Sequence, residues 1–204
     1  MKAAAVLALA LLTAVPAWAG APTDQLKANI DRVIQTLEDP ALKAPARGGE
    51  RRTALRRIAD ETFSFEEVSR RALGLHWQRR TPAEREEFVR LFADLLERSY
   101  IGKIELYSGE KVRYVGETVE DGRATVRTKI VTRQGNEVPV DYQMLPRGDR
   151  WVVYDVKIEG VSLVGNYRTQ FDRIIQTSSY QTLVTKLKTS KDEALETARA
   201  GARN

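Results

Sequence analysis

The sequence predicts an α+β fold in which a four-stranded antiparallel meander carries several helices on its apolar face. Three observations lead there. Apolar residues recur at helical spacing up to about Tyr107, alternate with a period of two from Lys111 to Glu159, and return to helical spacing after Gly160. Within the alternating stretch, Asp121-Gly122, Gln134-Gly135-Asn136 and Arg147-Gly148-Asp149 are short turn sequences, and short turns join neighbouring antiparallel strands.

The chain opens with Lys2, an apolar run from Ala3 to Val15, Pro16, and then Ala17-Trp18-Ala19 before Gly20. This is the pattern of a secretory leader over residues 1–19, cleaved after Ala19. The run falls short of the ~20 residues that cross a bilayer. With no cysteine anywhere, neither a lipid-modified cysteine nor a disulfide framework is available. The ~185 residues that follow suffice to bury a core as one domain, expected over 20–188. The formal net charge of +5, one less without Lys2, suits anionic headgroups or an acidic partner and is too weak to argue for nucleic acid.

In order, Leu26, Ile30, Val33, Ile34 and Leu37 define a first helix, with Thr23 placed to cap it. Glu38 to Glu50, with two prolines and two glycines, reads as a linker. A basic helix is expected from about Arg51 to Asp60 and another from Phe65 to Leu73, ended by Gly74. "TPAEREEF" starts a long helix, because Thr81 and Glu84 have capping-box spacing and Pro82 fits the first turn. Continued to about Tyr107, it puts Phe88, Leu91, Phe92, Leu95 and Leu106 on one stripe, flanked by Val89, Leu96, Tyr100 and Tyr107. Ser99 and Gly102 fall in the middle of that stripe. Two readings stay open for them: close approach of another element, or a passage left for a ligand chain.

Strands are expected at Lys111 to Gly116, Ala124 to Thr132, Glu137 to Leu145 and Arg150 to Glu159. Alternation puts Val126, Ile130, Val138, Val140, Tyr142, Met144, Val152, Tyr154, Val156 and Ile158 on a dry face. Arg127, Lys129, Asp141, Gln143, Asp155 and Lys157 fall on a wet one. A helix follows with Ser162 at its N-cap and Leu163, Tyr167, Phe171, Ile174 and Ile175 on one side. A short last helix is expected from Tyr180 to Leu187, then a charged tail over 189–204, frayed or disordered.

Catalytic chemistry finds little support. His76, Asp155 and Ser162 supply the residue types of a hydrolase triad. However, "GVSLVG" lacks the G-x-S-x-G spacing of a nucleophile elbow, so the cap is the favoured role of Ser162 and a helix-end position that of His76. One histidine and no cysteine leave a metal site almost no ligands, and no phosphate-cradling glycine loop occurs. No catalytic residue, metal or cofactor is expected.

An apolar sheet face opposed by wide apolar helices can hold a cavity for an apolar ligand. The candidate lining is Phe92, Leu96, Ser99, Tyr100, Gly102 and Tyr107 from the long helix, Val126, Ile130, Val140, Tyr142, Met144, Val156 and Ile158 from the strands, and Tyr167 and Phe171 from the helix after Ser162.

"FSFEEVSRRALGLHW", "TPAEREEFVRLFADLLERSYIGKIELYSGE", "VPVDYQM" and "WVVYDVKIEGVSLVGNYRTQF" resemble the MlaC family, also called the toluene-tolerance auxiliary family, in order from about Ile30 to Leu187. The resemblance implies a periplasmic phospholipid-binding protein of a Gram-negative bacterium. It would shuttle lipid between an inner-membrane ABC transporter with an MCE-domain subunit and an outer-membrane lipoprotein-porin complex, maintaining outer-membrane lipid asymmetry. It also implies acyl chains between sheet and helices and a headgroup near solvent, for which Arg85 is the candidate cation. A monomer is expected. A secreted hydrolase using Ser162 and an adaptor that binds no lipid are the alternatives. The basic stretch from Lys43 to Arg57 belongs to none of these motifs.

Overall fold

The computed structural model describes residues 22–189. The expected leader over 1–19 and nearly all of the expected tail over 189–204 lie outside the described residues.

Helix α1 (Pro22–Glu38) buries Leu26 and Leu37. Thr23 does not cap it by accepting a bond. Its backbone N–H and hydroxyl both donate to the Glu117 carboxylate, at 2.8 and 2.6 Å, so a strand residue satisfies the helix start. The expected linker is largely helical: α2 (Pro40–Lys43) and a 3₁₀ turn (Pro45–Arg47) precede α3 (Gly48–Thr62). Both prolines stand at first helical positions, where no N–H is needed, and Asp39 caps α2 by accepting from the Ala41 N–H at 2.8 Å.

Helix α4 (Phe65–Leu73) is capped by Ser64 and ends at Gly74, whose φ of 54° favours glycine. A 3₁₀ segment (Gly74–Arg79) leads to α5 (Pro82–Ile104). The Thr81–Glu84 capping box is formed. Helix α5 ends at Ile104, a turn earlier than the expected Tyr107, and Leu106 beyond it is 78% exposed.

The sheet has five strands rather than four, in the order β1 (Lys111–Glu120), β2 (Arg123–Val131), β3 (Glu137–Arg147), β4 (Arg150–Ile158) and β5 (Val161–Ser162). Every neighbouring pair is antiparallel. Glu159 and Gly160, at φ of 50° and 81°, reverse the chain tightly enough for Val161 to pair with Ile158 before the helix starts. A two-residue strand is too short to show alternation, so the sequence pattern does not reveal it.

On the dry face, Val126 lies opposite Tyr142, and Tyr142 opposite Val156. The register then shifts between Gln143 and Met144, leaving Tyr154 as the extra residue and pairing Met144 with Val153. This corrects the expected faces. Beyond the bulge Trp151 and Val153, not Val152 and Tyr154, join Leu26, Ala124, Val126 and Met144 in a buried cluster. Tyr154 instead lies under the Arg71 guanidinium of α4, 4.0 Å from its ring centre. On the same dry face Thr128 is buried and satisfied, donating to the Val140 carbonyl at 2.8 Å.

Helix α6 (Leu163–Thr177) and a last helix over 180–189 complete the fold. With α4 and α5 they form the largest buried cluster. At its centre Phe171 meets Phe88 and Phe92 edge-on, at centroid distances of 5.7 and 5.1 Å.

Candidate functional site

Two adjoining cavities lie between the helices and the dry sheet face. The first, about 410 Å³, is walled by Ile30, Val33, Ile34 and Leu37 of α1, by Leu55, Ile58 and Ala59 of α3, by Ile104, Leu106 and Tyr107, and by Val112, Ile130 and Tyr142 of the sheet. The second, about 290 Å³, is walled by Phe65 and Val68 of α4, by Phe92, Leu96, Tyr100 and Ile104 of α5, by Val140, Val156 and Ile158, and by Leu163, Val164 and Tyr167 of α6. Ala59, Phe63, Ile104, Ile130 and Tyr142 line both.

The walls follow from local geometry. Residues two apart on a strand share a face, which aligns Val140 with Tyr142 and Val156 with Ile158. Residues four apart on a helix stack, which aligns Phe92, Leu96, Tyr100 and Ile104.

The expected lining divides accordingly. Phe92, Leu96, Tyr100, Tyr107, Ile130, Val140, Tyr142, Val156, Ile158 and Tyr167 wall one or both cavities. Val126 and Met144 are instead packed in the cluster around Leu26, and Phe171 in the aromatic cluster. Ser99 and Gly102 line neither cavity, and a Cβ added at the exposed Gly102 would meet nothing within 4 Å. Gly102 thus faces outward, and its surroundings show neither a close neighbour nor a cavity. Contacts along α5 follow the i, i+4 row from Phe88 to Ile104, which turns about 40° per step away from the i, i+7 row on which Gly102 was placed.

The walls given by α1 and α3, with Ile104, Leu163 and Val164, are absent from the expected lining. The stripe of α1 is plain in the sequence, but nothing local says that it faces a void instead of a filled core.

Few polar side chains reach the cavities. Thr62 in the first donates to the Ile58 carbonyl at 2.7 Å. Glu110 accepts from the Ser108 N–H and hydroxyl, both at 2.8 Å, and the Ser108 amide bond leads in holding its carboxyl below the usual range. Burial pushes the Tyr142 phenol up to about 12. Burial, then Glu38, also raises that of Tyr107, which donates to Glu38 at 3.2 Å. Both stay neutral at any physiological pH.

Arg85 lies away from both cavities. It lines a separate depression with Glu66, Trp77 and Glu86 and donates to the Trp77 and Gln78 carbonyls at 3.1 and 3.4 Å, where it clasps the 3₁₀ segment. The triad types are likewise separated. His76 Nε2 is 2.8 Å from Asp172 Oδ1. Ser162 donates to Asp155 Oδ2 at 2.5 Å and accepts from the Gly165 N–H at 2.8 Å, while Asp155 Oδ1 accepts from the Val164 N–H at 3.0 Å. Asp155 is thus half of a helix cap, not a free residue of the wet face. Among the described residues no three His, Cys, Asp or Glu side chains gather as a metal site, and no helix is long and apolar enough to cross a membrane.

A helix-roofed antiparallel sheet with two adjoining apolar cavities offers room for an apolar ligand. The family model described as MlaC protein matches residues 27–189, and the chain belongs to that family. It is 24% identical over 149 residues to the intermembrane phospholipid transport system binding protein MlaC of Haemophilus influenzae, covering 71% of this chain and 70% of that one. It is 26% identical over 125 residues to the toluene tolerance protein ttg2D of Pseudomonas putida, covering 60% and 58%. Among solved structures, the phospholipid-binding protein from Ralstonia solanacearum in complex with a phospholipid superimposes with a TM-score of 0.76 at 25% identity, covering 85% of this chain and 98% of that one.

Proposed function

We propose that this protein binds a phospholipid with its acyl chains in the two cavities. It carries the lipid as a monomer through the periplasm, between an inner-membrane MCE-domain ABC transporter complex and an outer-membrane lipoprotein-porin complex. The observation that carries this reading is the pair of adjoining apolar cavities, of about 410 and 290 Å³. The phospholipid named in the relatives' descriptions supports the choice of ligand, and the leader pattern supports the compartment.

The energetics suit a carrier. Each CH₂ withdrawn from water is worth about 0.8 kcal/mol, so two chains of ordinary length supply roughly 20 kcal/mol against release into water. Lipid therefore leaves only where an acceptor offers an equally dry path. The chain has no nucleotide-binding loop, so any net direction comes from a partner that hydrolyses nucleotide. Ser162 and His76 are engaged in separate structural contacts, which supports a carrier over a hydrolase.

Protein loaded with a labelled phospholipid and mixed with proteoliposomes holding the MCE-domain transporter complex tests this reading. Label should pass between protein and proteoliposomes, and far more slowly to vesicles lacking the complex. Transfer that is equal with and without the complex would contradict the carrier role.

A further inference from the structure

Resting on that reading, we infer that Lys103 holds the lipid phosphate at the junction of the two cavities, with one acyl chain entering each. Three observations converge on this residue. Among the described residues that line either cavity, Lys103 is the only basic one. It is exposed, and no carboxylate of the described residues forms an ion pair with it. The carboxylates nearby on α5 and at its end are engaged elsewhere, Glu105 by Arg51 and Arg52, and Asp94 and Glu97 by Arg56. Its Nζ instead lies 5.3 Å from the ring centre of Tyr100, an attraction that draws the ammonium toward a wall of the second cavity while its own side chain lines the first. The next residue, Ile104, lines both cavities and is 40% exposed. Lys103 and Ile104 thus stand where the two dry spaces meet at the surface.

A diacyl phospholipid has matching chemistry. Two apolar chains leave one polar centre, and that centre carries an anionic phosphodiester. With the chains divided between the cavities, the centre falls beside the shared wall, where the Lys103 ammonium offers three donors to the phosphate oxygens. The two lining carboxylates leave the position to Lys103: Glu110 is engaged by Ser108, and Asp155 caps α6. This assignment replaces Arg85, whose guanidinium is committed to backbone carbonyls elsewhere. Lys103 also lies in the last turn of α5, where a cation suits the helix dipole. A helix-end role alone would alter stability without regard to the ligand's headgroup.

The test compares wild type, Lys103→Met and Lys103→Arg, each stripped of lipid and titrated with phosphatidylglycerol, with diacylglycerol of the same chains, and with inorganic phosphate. Thermal melts serve as the folding control. Lys103→Met should weaken phosphatidylglycerol binding about tenfold, leave diacylglycerol binding unchanged, and flatten the salt dependence of the former. Lys103→Arg should retain both. Equal binding of phosphatidylglycerol by wild type and Lys103→Met overturns the assignment, as does an equal loss for both lipids, which would mark the lysine as part of the apolar wall. Inorganic phosphate that binds wild type but not Lys103→Met, with lipid binding unaffected, overturns it in favour of a free-anion site. Wild type that takes up neither lipid overturns the phospholipid reading itself, and this assignment with it.

Discussion

Ser162 uses its hydroxyl twice, accepting from the Gly165 N–H and donating to Asp155. The pair ties β4 to the first turn of α6, which explains why a strand aspartate and a helix-start serine occur seven residues apart. Ser162→Ala should cost about 0.5–2 kcal/mol in denaturant melts and leave bound lipid unchanged wherever the variant is folded. An esterase activity that disappears in the folded variant would contradict the structural role. The cap was legible in the sequence because capping is local; its partner was not, because a strand period assigns Asp155 a face and no bond. A second residue makes a pH prediction. Partial burial pushes the Glu67 carboxyl up, but hydrogen bonds and charge from Arg70 and Arg71 outweigh it, so the net is below the usual range. A lowered folded pKa stabilises above the unfolded value, and the gain disappears as pH falls through the folded one. The stability difference between wild type and Glu67→Gln should therefore be constant near neutrality and shrink below about pH 4. A difference independent of pH would show that the arginines do not act through the charge.

Helix α5 shows how an element's period can be read correctly and its facing wrongly. Its start is written in the Thr81–Glu84 box, and Phe92, Leu96 and Tyr100 line a cavity. The stripe beyond them depends on what surrounds the helix. Its first half packs on α4, α6 and the last helix, whereas Ile101 packs on Leu37 and Leu55. The buried direction therefore rotates along the axis, and Gly102 is left outside. Gly102→Leu should raise stability by up to about 1 kcal/mol through helix propensity and leave lipid content unchanged. Leu96→Trp, which adds bulk inside the smaller cavity, should lower lipid content while the protein still melts cooperatively. The opposite pattern in the two variants would return the ligand to the Gly102 face. Three of the four arginines of α3, which fit no motif, find their role here: Arg56 bonds Asp94 and Glu97, and Arg51 and Arg52 bond Glu105, so they clasp α3 to α5. Being half exposed, Arg56 adds under about 1 kcal/mol to global stability. Arg56→Glu should nevertheless speed amide hydrogen exchange in α3 more than in α4, and uniform exchange would remove the clasp.

At the scale of the whole molecule, the fold can keep a void because its core is divided. One cluster joins α4, α5, α6 and the last helix; a second joins α1 to the sheet; a third joins Leu37, Leu55 and Ile101. Each is packed in itself, and the cavities occupy the space between them. The α+β class and the meander were legible because the change of period at Lys111 is a local signal. The fifth strand, the shifted face after the Tyr154 bulge and the walls supplied by α1 and α3 were not, because each depends on contacts between segments distant in the chain. The central claim is that the space between the clusters is occupied by phospholipid, and a native mass spectrum of the gently purified wild-type protein tests it most directly. The predicted spectrum shows the chain plus the mass of one phospholipid, reverting to the bare chain after organic extraction. A folded protein that appears only at the bare mass, and stays there after incubation with phospholipid vesicles, would contradict it.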